Sequence, residues 1–148
     1  MGMQEQLKLN NQLCFRLYTA SRLITQAYHP LLQEIGLTYP QYLVMMVLWE
    51  QDAQPVNDIA KKLYLETNTV TPLLKRMEAE GLISRIKGEA DARQVIVRLT
   101  PRGRSLENRA DCIPFKMGNA VACRSITLES APVLFRTLDD LIQTLSGR

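Results

Sequence analysis

The sequence predicts a mainly α-helical chain with one small β-hairpin. Three observations carry that expectation. Apolar residues recur at helical spacing near both ends of the 148 residues. A short helix, a turn and a second helix fit residues 56–80. The period then changes to alternation over 82–99, around a polar loop.

The first helical pattern spans about 9–35, through Leu13, Leu17, Ile24, Tyr28, Leu31 and Leu32. Pro30 is placed to kink it, and Gly36 breaks it. It is long for a chain of this size, so part of its apolar face is expected to pack on another chain. Thr38, Tyr39, Pro40 and Gln41 form a capping box with proline in the first turn. The helix they open, through Tyr42, Leu43, Val47, Leu48 and Trp49, is apolar nearly all round and reads as the central core helix. Its Met45–Met46 pair reads as core filler. Residues 52–55 read as a turn. A short helix at 56–63 turns Ile59, Ala60 and Leu63 inward. A second, at 67–80, does the same with Val70, Leu73, Leu74 and Met77, and Gly81 caps it. Strands on either side of residues 87–93 complete a hairpin. Thr100 and Pro101 start a further helix, interrupted near Pro114. A last amphipathic helix uses Leu134, Leu138, Leu141, Ile142 and Leu145.

Composition narrows the function. The chain supports one domain, 1–148, with its own core. Its 46% apolar and 22% charged content excludes a disordered or fibrous protein. No run reaches the roughly 18 apolar residues of a membrane span. The start, MGMQEQLKLNNQ, lacks a signal peptide's apolar stretch, so a cytoplasmic protein without a membrane partner is expected. Three irregularly spaced cysteines, Cys14, Cys112 and Cys123, and a lone His29 form neither a disulfide framework nor a metal-ligand cluster. No cofactor or metal is expected.

Charge is uneven. Residues 61–104 hold ten Lys/Arg against five Asp/Glu, and the remainder is net negative. A continuous basic segment is the footprint of phosphate contact, although a solvated basic face looks the same. Helix, turn, helix and hairpin in this order make a winged helix-turn-helix at about 38–100, flanked by dimerisation helices at about 9–35 and 101–148. The second helix opens with Thr67, Asn68, Thr69 and Thr71. Small polar side chains there either cap the helix or reach base edges and phosphates. Lys75 and Arg76 follow, suited to phosphates. Lys87 and Arg93 at the hairpin tip suit an adjacent minor groove. Asp91, two residues before Arg93, either orients the guanidinium or makes a surface pair of little worth.

Cys14 has two readings as well. It is a buried thiol acting as a small hydrophobe, or a reactive one. It falls in the opening turns of its helix if Asn10 or Asn11 is the cap, where the helix dipole favours thiolate. Tyr18, Tyr28 and Tyr39 are phenols able to donate hydrogen bonds to it.

These residues carry a family resemblance. Asn11-Gln12-Leu13-Cys14-Phe15, Tyr28-His29-Pro30-Leu31-Leu32, Leu37-Thr38-Tyr39-Pro40-Gln41-Tyr42-Leu43-Val44-Met45 and Leu48-Trp49-Glu50 resemble the MarR family of winged-helix repressors, and its organic-hydroperoxide sensor (OhrR) branch in particular. Leu63-Tyr64-Leu65, Thr69-Val70-Thr71-Pro72-Leu73-Leu74-Lys75-Arg76-Met77-Glu78 and Gly81-Leu82-Ile83 extend the likeness. It is close over about 9–105 and loose beyond.

The resemblance implies a homodimer with interlocked terminal helices, bound to a pseudo-palindromic double-stranded operator and released by an organic hydroperoxide. Cys14 matches the sensing cysteine. Tyr28 and Tyr39 match the tyrosines that hydrogen-bond its sulfur, one of them from the partner subunit. Arg93 matches the wing arginine, with Asp91 orienting it, and Thr67 to Thr71 open the recognition helix. Asn68 stands where some members carry Ser-Gly, which bears on base preference. Cys123, near the end of the fifth helix, matches a resolving cysteine, and Cys112 is incidental. Two other readings stand beside this one: a repressor of the same family that answers a small lipophilic or phenolic ligand, and a thiol peroxidase.

Overall fold

In the computed structural model, which describes residues 3–147, two short turns lead into a long helix. They are α1 (Met3–Gln6) and a 3-10 turn, Leu9–Asn11, and α2 (Leu13–Gln33) follows. Met1, Gly2 and Arg148 of the expected 1–148 domain lie outside the described residues. Next come α3 (Tyr39–Glu50), β1 (Gln54–Pro55), α4 (Val56–Lys62), α5 (Thr67–Ala79), β2 (Ile83–Lys87) and β3 (Val95–Leu99). Three helices close the chain: α6 (Pro101–Ala110), α7 (Ile113–Val121) and α8 (Ala131–Ser146). This is the mainly α winged helix-turn-helix that the sequence predicts.

Helix α2 runs through Pro30. Its end is closed by paired hydrogen bonds, Leu37 N–H to Leu32 O and Gly36 N–H to Gln33 O, both 3.1 Å. Gly36 takes a positive φ of 71° in this closure, the geometry that suits glycine. Leu32 and Leu37 are buried beside it. Upstream of Leu32 the helix buries none of its residues, and Leu13 and Tyr18 stay largely exposed.

The capping box at α3 forms in full: Thr38 Oγ1 accepts from the Gln41 amide, and Gln41 Oε1 accepts from the Thr38 amide. Tyr42, Val44, Met45 and Leu48 are buried along this helix. Met46 is not core filler; it is 36% exposed while Met45 is fully buried, because a helix turns adjacent residues about 100° apart.

The expected turn at 52–55 contains a strand. Gln54 pairs with Val97 and Pro55 with Ile96, so the sheet has three strands in the order β1-β3-β2 rather than a lone hairpin. Two residues are too short to show alternation, which hid β1 in the sequence. Asp52 ties this corner together: its Oδ1 accepts from the Ala53 and Leu99 amides, and its Oδ2 from Arg104. Strands β2 and β3 pair from Ile83↔Leu99 to Lys87↔Val95.

Thr100 caps α6 by accepting from the Gly103 amide. The core gathers around α3 from α4, α5, β2, β3 and the inner sides of α6 and α7. Helix α8 is different. It buries no residue, and Val133, Leu134, Phe135, Ile142 and Leu145 lie exposed along it.

Candidate nucleic-acid interface and thiol site

Helix α5 begins at Thr67, and its N-cap is Glu66, with no side-chain capping bond. Thr67, Asn68 and Thr69 therefore do not cap it. They stand exposed in its first turn, so the capping reading falls and their side chains are left facing outward. Thr71 donates to the Thr67 carbonyl at 2.8 Å, keeping its methyl and hydroxyl fixed on the same face. Lys75 and Arg76 are exposed farther along. Val70, Leu74 and Met77 anchor the other face in the core.

The wing lies beside this turn. Thr67, Thr71, Asn57, Arg85, Asp91 and Arg93 line one open concavity of about 380 Å³. Asp91 Oδ1 accepts from the Arg93 amide at 3.0 Å and from its Nε at 3.4 Å. The guanidinium side chain remains 92% exposed. It is thus oriented without being covered, which is what a group that reaches into a groove requires. Lys87 closes β2 and is exposed. Gly88 begins the tip because a Cβ there would sit 2.7 Å from the Asp91 carbonyl oxygen.

Sequence reasoning missed three polar residues of this concavity, Asn57, Arg85 and Gln94. Asn57 receives the Thr67 hydroxyl at 3.4 Å. Arg85 is held through its amide and Nε by the Glu78 carboxylate, at 2.8 and 3.4 Å. That grip spans the turn between α5 and β2. The seven-residue spacing of Glu78 and Arg85 was visible, but not that the chain reverses between them.

Cys14 is the second residue of α2. The N-cap is Gln12, not Asn10 or Asn11, which belong to the preceding 3-10 turn. The thiol is exposed rather than buried in this chain, and it has no hydrogen-bond partner among the described residues.

Tyr28 and Tyr39 pack together elsewhere, with ring centroids 5.0 Å apart. Tyr42 joins them at 5.8 and 6.4 Å, and Trp49 packs on Tyr42 at 6.3 Å. Burial raises all three phenol pKa values above the ordinary one; for Tyr28 the neighbouring Tyr39 charge adds to it, and for Tyr42 both neighbours do. The hydroxyls accordingly stay protonated donors at neutral pH.

Cys14 and Tyr28 lie fourteen positions apart on one continuous helix, about 21 Å at the rise of 1.5 Å per residue. Neither Tyr28 nor its stacked neighbour Tyr39 spans that distance to the Cys14 of its own chain. An arrangement in which one tyrosine comes from each subunit does not fit this geometry.

Cys123 lies two residues beyond Val121, the last residue of α7, not within a helix. It closes a turn through backbone bonds with Ile126. Cys112 occupies the break between α6 and α7, with its thiol 3.9 Å from the Arg109 carbonyl. Both are exposed.

The model of the transcriptional regulators SarA/Rot matches residues 26–109. The chain belongs to this family. The regulator is 42% identical to the organic hydroperoxide resistance transcriptional regulator of Bacillus subtilis, over 95% of this chain and 94% of that one. Its fold matches AbfR of Staphylococcus epidermidis. Overoxidised AbfR bound to DNA is 38% identical, with a TM-score of 0.77 over 97% of this chain and 98% of that one. Reduced AbfR bound to DNA gives 0.75. Disulfide-formed AbfR gives only 0.64, at 94% and 96% coverage. The crystal structure of AbfR gives 0.74, so the chain lies nearer in shape to these three than to the disulfide form. The MarR-like resemblance and its organic-hydroperoxide branch hold. The relatives are DNA-binding transcriptional regulators, not enzymes, and the thiol peroxidase reading falls with that. No helix among the described residues is long and apolar enough to cross a membrane.

Proposed function

We propose that this regulator is a cytoplasmic homodimeric repressor that releases its operator when an organic hydroperoxide oxidises Cys14. The observation that carries the reading is the separation of the exposed Cys14 from the paired, protonated phenols of Tyr28 and Tyr39. The two parts of the thiol site complete each other only between two copies. The exposed apolar faces of α2 and α8 support the same assembly, since apolar area left in water is what association removes.

In the dimer, the Tyr28 and Tyr39 hydroxyls of one protomer donate to the Cys14 sulfur of its partner. The thiolate attacks the distal oxygen of the hydroperoxide. The O–O bond breaks, the alkoxide takes a proton and leaves as an alcohol, and Cys14 becomes a sulfenic acid. The apolar surroundings of α2 favour alkyl over inorganic peroxide. The Cys123 thiol of the partner chain then attacks the sulfenic sulfur. The S–O bond breaks, water leaves, and an intersubunit disulfide forms.

A disulfide holds its sulfurs about 2 Å apart, so the thiol must leave the phenols. That shift turns the winged domains and spoils the spacing of about 34 Å between successive major grooves that two recognition helices need. On the DNA, Thr67, Asn68, Thr69 and Thr71 face the major groove. Lys75, Arg76 and Lys87 neutralise phosphates, and Arg93, set by Asp91, enters the minor groove. AbfR also has a disulfide-formed structure, beside reduced and overoxidised forms bound to DNA.

The test treats wild type, Cys14→Ser, Cys112→Ser and Cys123→Ser with cumene hydroperoxide. Crosslinking on a non-reducing gel and operator binding are measured on the same samples. We expect a crosslinked dimer and DNA release that both require Cys14 and Cys123. Release needing Cys14 alone removes Cys123 from the mechanism and leaves a small thiol as the resolving partner. Release that survives Cys14→Ser overturns the peroxide switch in favour of a small-ligand repressor.

A further inference from the structure

We propose that the Gln41–Glu80 hydrogen bond couples the tyrosine pair of the thiol site to the position of the recognition helix. The proposal rests on the peroxide-switch reading above and deepens it. Gln41 lies two residues after Tyr39, in the same first turn of α3, and is only 2% exposed. Both ends of its amide are used. Oε1 accepts from the Thr38 amide at 3.0 Å, closing the capping box. Nε2 crosses 39 residues of sequence to donate to Glu80 Oε2, also at 3.0 Å.

Glu80 is the C-cap of α5. Its amide donates back to Arg76, and its carbonyl accepts from Arg102 Nη1 at 2.7 Å. One buried amide thus joins the turn that carries Tyr39 to the end of the helix that carries Thr67–Thr71. Toward the core, Val70, Leu74 and Met77 make apolar contacts, which have no direction, while Glu78 and Thr67 hydrogen-bond to β2 and α4 and not to α3. The Gln41 bond has a direction. A shift of the α3 first turn either takes Glu80 with it or strands a buried N–H, which is costly. Space for such a shift exists, because Tyr39, Gln41, Glu80 and His29 border a cavity of about 290 Å³.

Glu80 is therefore a positioning residue for DNA binding, acting through Gln41 and touching no DNA itself. It is exposed, so replacing it removes no core packing, and Glu80→Ala takes from the buried Gln41 Nε2 only its acceptor. The test measures operator affinity for wild type, Glu80→Ala and Glu80→Gln, each reduced and each oxidised by cumene hydroperoxide. The duplex is selected from a random pool with reduced wild type. Glu80→Ala should weaken reduced-state binding about fivefold and leave the oxidised state unchanged, so the ratio between states falls by the same factor. Glu80→Gln keeps an acceptor oxygen for Gln41 and should keep the wild-type ratio. Equal weakening in both states, or a lowered Tm with an unchanged ratio, makes Glu80 merely structural and overturns the proposal. A wild type that binds equally well in both states overturns the peroxide-switch reading, and the proposal with it.

Discussion

The indole N–H of Trp49 donates to the carbonyl of Gly103, 54 residues away, at 3.0 Å. This bond pins the start of α6 to the core helix. The Gly103 α-carbon is pressed so closely on the wing root that a Cβ would lie 2.1 Å from the Leu82 carbonyl oxygen. The same carbonyl accepts from the amide and hydroxyl of Thr100, both at 3.1 Å.

Gly103→Ala should therefore destabilise the protein by about 3 kcal/mol, since overpacking against backbone leaves nothing flexible to move. Urea unfolding of wild type and variant measures it. A loss within about 0.5 kcal/mol, the range of ordinary surface substitutions, would show that α6 shifts freely and that the Trp49 bond does not fix it.

Arg93 and Asp91 separate contact from orientation. Arg93→Ala should weaken operator binding and reduce the slope of log K against log salt by about 1, because it removes one cation from the DNA. Asp91→Ala leaves the guanidinium charge in place and should weaken binding less, without lowering the slope. Titrations at several salt concentrations distinguish them. An Asp91→Ala protein that binds as wild type does would reduce the pair to a surface contact.

The tyrosine cluster sets an alkaline limit on stability. Its phenol pKa values are raised in the folded protein, by burial first, while unfolded tyrosine ionises near 10. The stabilisation is complete below about pH 10 and is lost as pH climbs through the raised folded values. Unfolding free energy should be level from about pH 7 to 9 on this account and decline above 10. Tyr42→Phe, at a position only 2% exposed, should decline less steeply. Parallel curves for variant and wild type would remove the cluster as the cause.

Helix α8 tests the assembly. Leu138 and Leu145 belong to its apolar stripe, and the helix buries nothing within its own chain. A Leu138→Glu/Leu145→Glu double variant should sediment as a monomer and lose operator binding, because one recognition helix makes half of the contacts. A variant that remains dimeric would place the subunit contact elsewhere.

The capping box of Thr38 and Gln41, the Thr100 cap, the Gly36 and Gly81 breaks and the inner stripes of α4 and α5 were all legible in the sequence. So was the Asp91–Arg93 grip. Each is set by residues a few positions apart, where spacing alone fixes geometry. Only the tertiary structure could supply the rest. Strand β1 exists because β3 offers it a partner. Met46 is partly exposed because its direction on α3 points away from the buried side that holds Val44, Met45 and Leu48. Arg85 faces Glu78, and Gln41 faces Glu80, because the chain folds back on itself between them. Cys14 and the tyrosines are kept apart in one chain by the length of α2, a distance that the types of these residues do not reveal. Local hydrogen bonds and periodicity are written along the chain, while contacts between distant segments depend on how every element packs at once.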